Sequence, residues 1–253
     1  MNFSAIPKNS LIGRILRFPL KLLPAGMILP ILQGPSRGMR WIVGSGDHGY
    51  WLGSYEIGFQ KLFAQRISGG EIVFDIGAHV GFYTLLAARR VGPAGHVFAF
   101  EPLPRNADFI ERHIQINKLD NVTFQQVAIS DRSGIVRFGG GLSSSTGHIT
   151  TGGEEQVQAA ALDNLLDSGK IDPPSVMKID VEGAEGAVLR GGRELIAKHK
   201  PELFLAMHGS EAYQECTAFL RSMKYSLQPI NADHLDAATE IYAAPKGVPT
   251  AIG

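Results

Sequence analysis

The chain has 253 residues, 44% apolar and 19% charged, enough to bury one substantial core and too apolar for a disordered chain. Its single cysteine, Cys216, excludes an internal disulfide framework and a cysteine-rich zinc site, and fits a reducing compartment such as the cytoplasm. Formal charge is zero, but six of the 24 basic residues fall within the first 46 positions, where there is no acid; the remaining 18 face 24 acidic residues, which leaves no footprint for nucleic acid.

Residues 1–69 read as a basic, partly helical extension, and residues 70–253 as the main domain. "LIGRILRFPLKLLPAGMILPIL" is apolar, but Arg14, Arg17 and Lys21 interrupt it and Pro19, Pro24 and Pro30 break it, so it is no spanning helix. No small-residue cleavage site follows a clean apolar run, which argues against a signal peptide. Two readings stand for residues 1–46: packing on the domain with cations in solvent, or peripheral contact with an anionic membrane through Lys8, Arg14, Arg17, Lys21, Arg37 and Arg40. Further on, "GYWLGSYEIGFQKLFAQRI" has apolar residues at near-helical spacing.

From residue 70 strands and helices alternate. "EIVFDIG", "HVFAFEP", "VTFQQVAIS", "SVMKIDVEG" and "PELFLAMHG" read as strands, and "FYTLLAARRV", "RNADFIERHIQINK", "AEGAVLRGGRELIAKH" and "SEAYQECTAFLRSM" as helices. Short strands near "YSLQPI" and "TEIYAAP" close the chain. Near-continuous apolar strands alternating with helices predict an α/β fold with a mostly parallel, doubly wound sheet. Residues 131–161 interrupt it with two β-like runs around a Gly/Ser/Thr-rich tip, which predicts a β-hairpin insertion. Ser144 and Ser145 in that tip are candidate substrate-binding hydroxyls.

In such sheets ligands sit outside the carboxyl ends of the strands. That rule selects Asp75, Glu101, Ala128, Asp180 and His208. After the first strand the spacing is Gly77-Ala78-His79-Val80-Gly81, and His79 stands where a dinucleotide loop needs its second glycine. D-x-G-x-x-x-G instead matches the S-adenosylmethionine loop of class I methyltransferases. Asp75 would accept from the ligand's ammonium, directly or through water. Glu101, 24 residues after Gly77, would offer two oxygens to the two ribose hydroxyls.

"FDIGAHVGFYTLLAA", "FAFEPLPRNADFIERHIQINK", "VAISDRSG" and "MKIDVEGAEGAVLRGG" resemble the FkbM family of S-adenosylmethionine-dependent methyltransferases, and "PELFLAMHG" fits the same pattern. The resemblance covers roughly residues 70 to 210. It implies a Rossmann-like class I methyltransferase fold and O-methylation of a sugar, glycolipid or natural product. It also implies that Asp75, Gly77, Ala78, His79 and Gly81 form the cofactor loop, that Glu101 with Pro102 takes the ribose, and that Ala128 lies by the adenine. An N-methyltransferase and a non-catalytic S-adenosylmethionine-binding protein remain as alternatives.

For the chemistry, "KIDVEGAE" supplies Asp180, Glu182 and Glu185, and "AMHG" supplies His208. His208 is the expected general base, with Asp180 beside it to orient the ring and raise its pKa, Glu182 near the acceptor, and Asp180 also near the cofactor. Glu185 reads as a helix cap or a surface residue. A divalent cation among these groups is the alternative to a metal-free site, which is the first choice. No other histidines pair at helical spacing for zinc.

Overall fold

The computed structural model describes residues 19–140, 147–149 and 155–248. Ahead of the alternating region, β1 (Ile28–Pro30) and β2 (Arg40–Ile42) pair antiparallel, and α1 (His48–Leu52) and α2 (Ile57–Arg66) follow. The single helical pattern seen in the sequence is two helices because Gly53 turns left-handed (φ 69°). A side chain there would meet the Gln33 carbonyl at 2.1 Å.

The alternation then runs β3 (Ile72–Ile76), α3 (Phe82–Val91), β4 (His96–Phe100), α4 (Pro104–Asn117), β5 (Val122–Gln125), β6 (Ala128–Ile129), β7 (Gly134–Gly140), β8 (Gly147–Ile149) and β9 (Glu155–Ala160). After these come α5 (Leu162–Asp167), β10 (Val176–Ile179), α6 (Glu185–Gly191), α7 (Arg193–His199), β11 (Glu202–Ala206), α8 (Ser210–Ser222), β12 (Tyr225–Pro229) and β13 (Glu240–Pro245). A seven-stranded sheet has the order β12-β13-β11-β10-β3-β4-β5. Its five strands from β11 to β5 are parallel, and β13 runs antiparallel to both of its neighbours. This is the Rossmann-like class I methyltransferase arrangement expected from the sequence.

Both faces of the sheet are covered, which is why its strands are apolar on both sides. One face packs Val73, Val97, Val176 and Phe204 against α2, α3 and Trp41; the other packs Phe74, Phe98, Phe100, Met177 and Ile179 against α5 to α8. The described part of the N-terminal stretch therefore shares a buried cluster with the sheet. It is also stitched on by polar groups. Trp41 stacks on His113 at 4.1 Å. The Ile42 N–H donates to His113 Nε2 (3.0 Å), so Nδ1 carries the proton and donates to the Val80 carbonyl (2.8 Å). Burial pushes the His113 pKa down to about 4, which keeps that tautomer neutral.

Three elements differ from expectation. "VTFQQVAIS" is two strands: Val127 N–H closes a tight turn on the Gln125 carbonyl (2.9 Å), and β6 leaves the main sheet to pair with β9. The insertion does contain an antiparallel pair, β7 with β9, but within a separate four-stranded sheet, β6-β9-β7-β8. "AEGAVLRGGRELIAKH" breaks between α6 and α7, where a side chain on Gly191 would meet the Ser130 carbonyl at 2.0 Å. Ser144 and Ser145 lie outside the described residues, as do residues 1–18 with Lys8, Arg14 and Arg17. Among the described residues no helix is long and apolar enough to cross a membrane.

Candidate functional site

A cleft opens at the carboxyl ends of β3, β4 and β10, where the sheet topology places a ligand. Its floor is the loop after β3. Gly77 and Ala78 N–H groups both donate to the Phe100 carbonyl, so the turn hangs on the end of β4. Gly77 (φ 76°) packs so close to β10 that a Cβ would sit 1.9 Å from the Asp180 carbonyl. His79 (φ 52°) and Gly81 (φ 89°) share the left-handed region, and Gly81 opens α3. Gly77→Ala is expected to cost about 1–3 kcal/mol of stability from the backbone conformation alone, and more from the clash. A melting temperature unchanged by that substitution would contradict this reading of the loop.

Glu101 ends β4 and stands over this loop, only 5% exposed. Its Oε2 accepts from the His79 N–H (3.0 Å), and its Oε1 from the Leu103 N–H (3.1 Å) and Asn106 Nδ2 (3.1 Å). Burial pushes its pKa up to about 7 against those three donors. His79 Nδ1 lies 3.4 Å from the Tyr50 hydroxyl, and burial together with Lys178 lowers the imidazole to about 4.

Lys178 is the side chain that the sequence reading passed over. In β10 it stands in register with Asp75 of β3, on the same face of the sheet. Its ammonium, 4% exposed, lies 3.5 Å from Asp75 Oδ1 and 3.4 Å from Asp180 Oδ2. It donates to the Gly77 carbonyl (3.3 Å) and sits 5.1 Å from the Tyr83 ring centroid. Burial alone would lower its pKa, but Asp180, Asp75 and Glu56 outweigh burial and raise it, so it is a fixed cation. Asp75 is fully buried, accepts from Thr84 Oγ1 (2.6 Å) and faces Lys178 with its other oxygen (3.5 Å), so its carboxylate stands behind the cleft wall.

At the rim of the cleft, Asp180, Glu182 and His208 come together from the ends of β10 and β11. His208 Nε2 is 3.5 Å from Glu182 Oε2 and 3.8 Å from Asp180 Oδ1. The closest partner is another residue. His208 Nδ1 and Glu185 Oε1 are 2.9 Å apart, and Glu185, expected as a cap or surface group, is fully buried. It does take the Gly183 N–H (3.0 Å), as a cap would. Glu185, not Asp180, therefore orients the ring. That hydrogen bond, opposed by burial and aided by Glu182 and Asp180, raises the His208 pKa to about 9. The pairing stabilises the fold fully below the unfolded value of 6.5 and loses that contribution as pH rises through about 9. In chelator-treated protein, the His208 ring followed by NMR should titrate near 9, and Glu185→Gln should bring it down. A wild-type value at or below 6.5 would contradict the pairing.

Of the sequence-selected residues, Gly77, Ala78, His79, Glu101, Pro102, Ala128, Asp180 and Glu182 line the cleft. Gly81 shapes the loop from behind, and His208 lies at the rim through its contacts with Asp180 and Glu182. Tyr50, Tyr55 and Asn106 line it without having been foreseen. For Lys178 a signal existed: a lysine inside an otherwise apolar strand needs a buried partner.

The chain belongs to the FkbM methyltransferase domain family, whose model matches residues 75–228, more than half of its length. It is 26% identical over 133 residues to the hexuronic acid methyltransferase AglP of Haloferax volcanii, covering 52% of this chain and 54% of that protein. It is 27% identical over 150 residues to the 2-O-methyltransferase NoeI of Sinorhizobium fredii, covering 50% and 59%. Among solved structures, an FkbM methyltransferase from Methylobacillus flagellatus KT superposes with a TM-score of 0.52 at 18% identity, over 79% of this chain and 55% of that one. The chain thus spans between half and three fifths of the length of these relatives.

Proposed function

We propose that the protein transfers a methyl group from S-adenosylmethionine to a hydroxyl of a sugar-type small molecule or glycolipid. The observation that carries this reading is Glu101: a buried carboxylate at the end of β4, keyed to the loop beneath it and facing the cleft. A ligand with two neighbouring hydroxyls fits it. S-adenosylmethionine would supply an activated methyl on a sulfonium. Glu101 would hold its ribose, Ala78, His79 and Pro102 its flanks, and Ala128 with Val127 and Ile129 its adenine.

The acceptor then enters from the side of Asp180, Glu182 and His208. This cluster would orient the acceptor hydroxyl toward the methyl that the bound cofactor supplies and would take up the hydroxyl proton. The buried Lys178 holds Asp180 in place without itself meeting solvent. A sugar hydroxyl is favoured over an amine by the two relatives, one named for a hexuronic acid and one for a 2-O position. The test is incubation with methyl-labelled S-adenosylmethionine and oligosaccharides containing hexuronic acid, followed by NMR of the product. Label at an O-methyl carbon is expected. Label on nitrogen would overturn the acceptor assignment, and cofactor binding with no transfer to any acceptor pool would favour a binding protein.

A further inference from the structure

We infer that Asp180, Glu182 and His208 form a binding site for one divalent cation of the Mg²⁺ or Mn²⁺ type, with Glu185 as its supporting carboxylate. One ligand atom from each of the three lies within 4.8 Å of the other two. Around an octahedral cation with bonds of ~2.1 Å, adjacent ligand atoms sit ~3.0 Å apart. The separations of 3.5 and 3.8 Å from His208 Nε2 to the two carboxylates need to close by only a fraction of an ångström.

The surroundings are those of a metal-binding histidine rather than of a surface ion pair. A ligating imidazole turns its other nitrogen to a carboxylate, which fixes ring orientation and tautomer. Here His208 Nδ1 is held by Glu185 at 2.9 Å, and Glu185 is fully buried, so the ring cannot turn away cheaply. Among the described residues the second oxygen of Glu185, Oε2, is buried without a hydrogen-bond partner, an unusual cost for a group with no task. Asp180 divides its oxygens: Oδ2 faces Lys178 and Oδ1 faces His208, leaving the latter for a ligand. Charge points the same way. Asp75, Asp180, Glu182 and Glu185 bring four carboxylates against the ammonium of Lys178 and the imidazole of His208, so negative charge stays in excess and a dication that takes the place of the imidazole proton offsets it.

Two carboxylates and one imidazole suit Mn²⁺ and Mg²⁺ better than a thiolate-seeking metal. Asp180, Glu182 and His208 are about a third exposed, so the remaining coordination positions face solvent. On the reading of a hydroxyl acceptor, which this part of the inference rests on, acceptor oxygens fill them. His208 Nε2 then serves as a ligand rather than as the proton acceptor.

Mn²⁺ titration of chelator-treated protein, with free Mn²⁺ followed by electron paramagnetic resonance, tests the site without requiring turnover. One Mn²⁺ per chain is expected. Glu182→Gln, at the exposed rim, should weaken it at least tenfold, and Glu185→Gln by about ten- to a hundredfold through the ring it holds. S-adenosylhomocysteine titrated into the same samples reports on the cofactor cleft separately. Absence of a stoichiometric Mn²⁺ site, or equal Mn²⁺ affinity in folded wild type and both variants, overturns the inference whatever the cofactor result. A stoichiometric site that both variants weaken upholds it even where S-adenosylhomocysteine fails to bind, which would overturn the proposed function instead.

Discussion

Replacing Glu101 with alanine is expected to weaken S-adenosylhomocysteine binding by about 2–4 kcal/mol, since two charge-assisted hydrogen bonds to the ribose are lost. The structure adds a second consequence. Glu101 also accepts from His79, Leu103 and Asn106, so its removal strands three donors around a buried site. The fold itself should therefore lose about 1–3 kcal/mol. Glu101→Gln preserves the shape and separates the two effects. There is a pH signature as well. Burial holds the Glu101 carboxyl at about 7, and hydroxyl donors favour its ionised form, so ligand binding should tighten as pH rises through about 7. Calorimetric titration at pH 6 and pH 8 checks the direction. Affinity equal to wild type in a folded Glu101→Ala protein would remove Glu101 from the cofactor site.

Replacing His208 with alanine should instead lower turnover by roughly a hundredfold or more with cofactor affinity nearly intact. His208 sits at the rim, beyond the residues that flank the proposed cofactor, and its contacts are to Asp180, Glu182 and Glu185. The loss follows whether Nε2 accepts the acceptor's proton or holds a cation that binds the acceptor's oxygen. The two differ in Glu182→Gln: a ligand role predicts partial recovery at high Mn²⁺, and a base role predicts none. Turnover of His208→Ala equal to wild type would shift the chemistry to Asp180 or Glu182.

The sheet and the cofactor loop were legible because their signals are local. Gly77 and Gly81 mark a turn that must go left-handed, and Glu101 sits where a strand end and a fixed distance from Gly77 coincide. Asp180 and His208 could be selected by the same strand-end rule, Glu182 follows two residues after Asp180, and the structure brings the three within a few ångströms.

What remained hidden depends on partners distant in sequence. Asp75 gives no sign of an ion pair until Lys178 is placed opposite it on the neighbouring parallel strand. Glu185 looks like a helix cap until β11 delivers His208 onto it. Likewise, nothing within "VTFQQVAIS" says that β6 must leave the main sheet, because its partner residues in β9 lie 31 positions on, at the far end of the insertion. Trp41 and His113 show the same limit. Neither looks structural alone, yet their stacking and two ring hydrogen bonds fasten the N-terminal stretch to α4.

The most direct measurement of the central claim is calorimetric titration of the wild-type chain with S-adenosylhomocysteine and, separately, with NAD⁺. The account predicts a single S-adenosylhomocysteine site and no NAD⁺ binding, because His79 occupies the loop position where a dinucleotide's pyrophosphate needs a glycine. Binding of NAD⁺ with none of S-adenosylhomocysteine would contradict it.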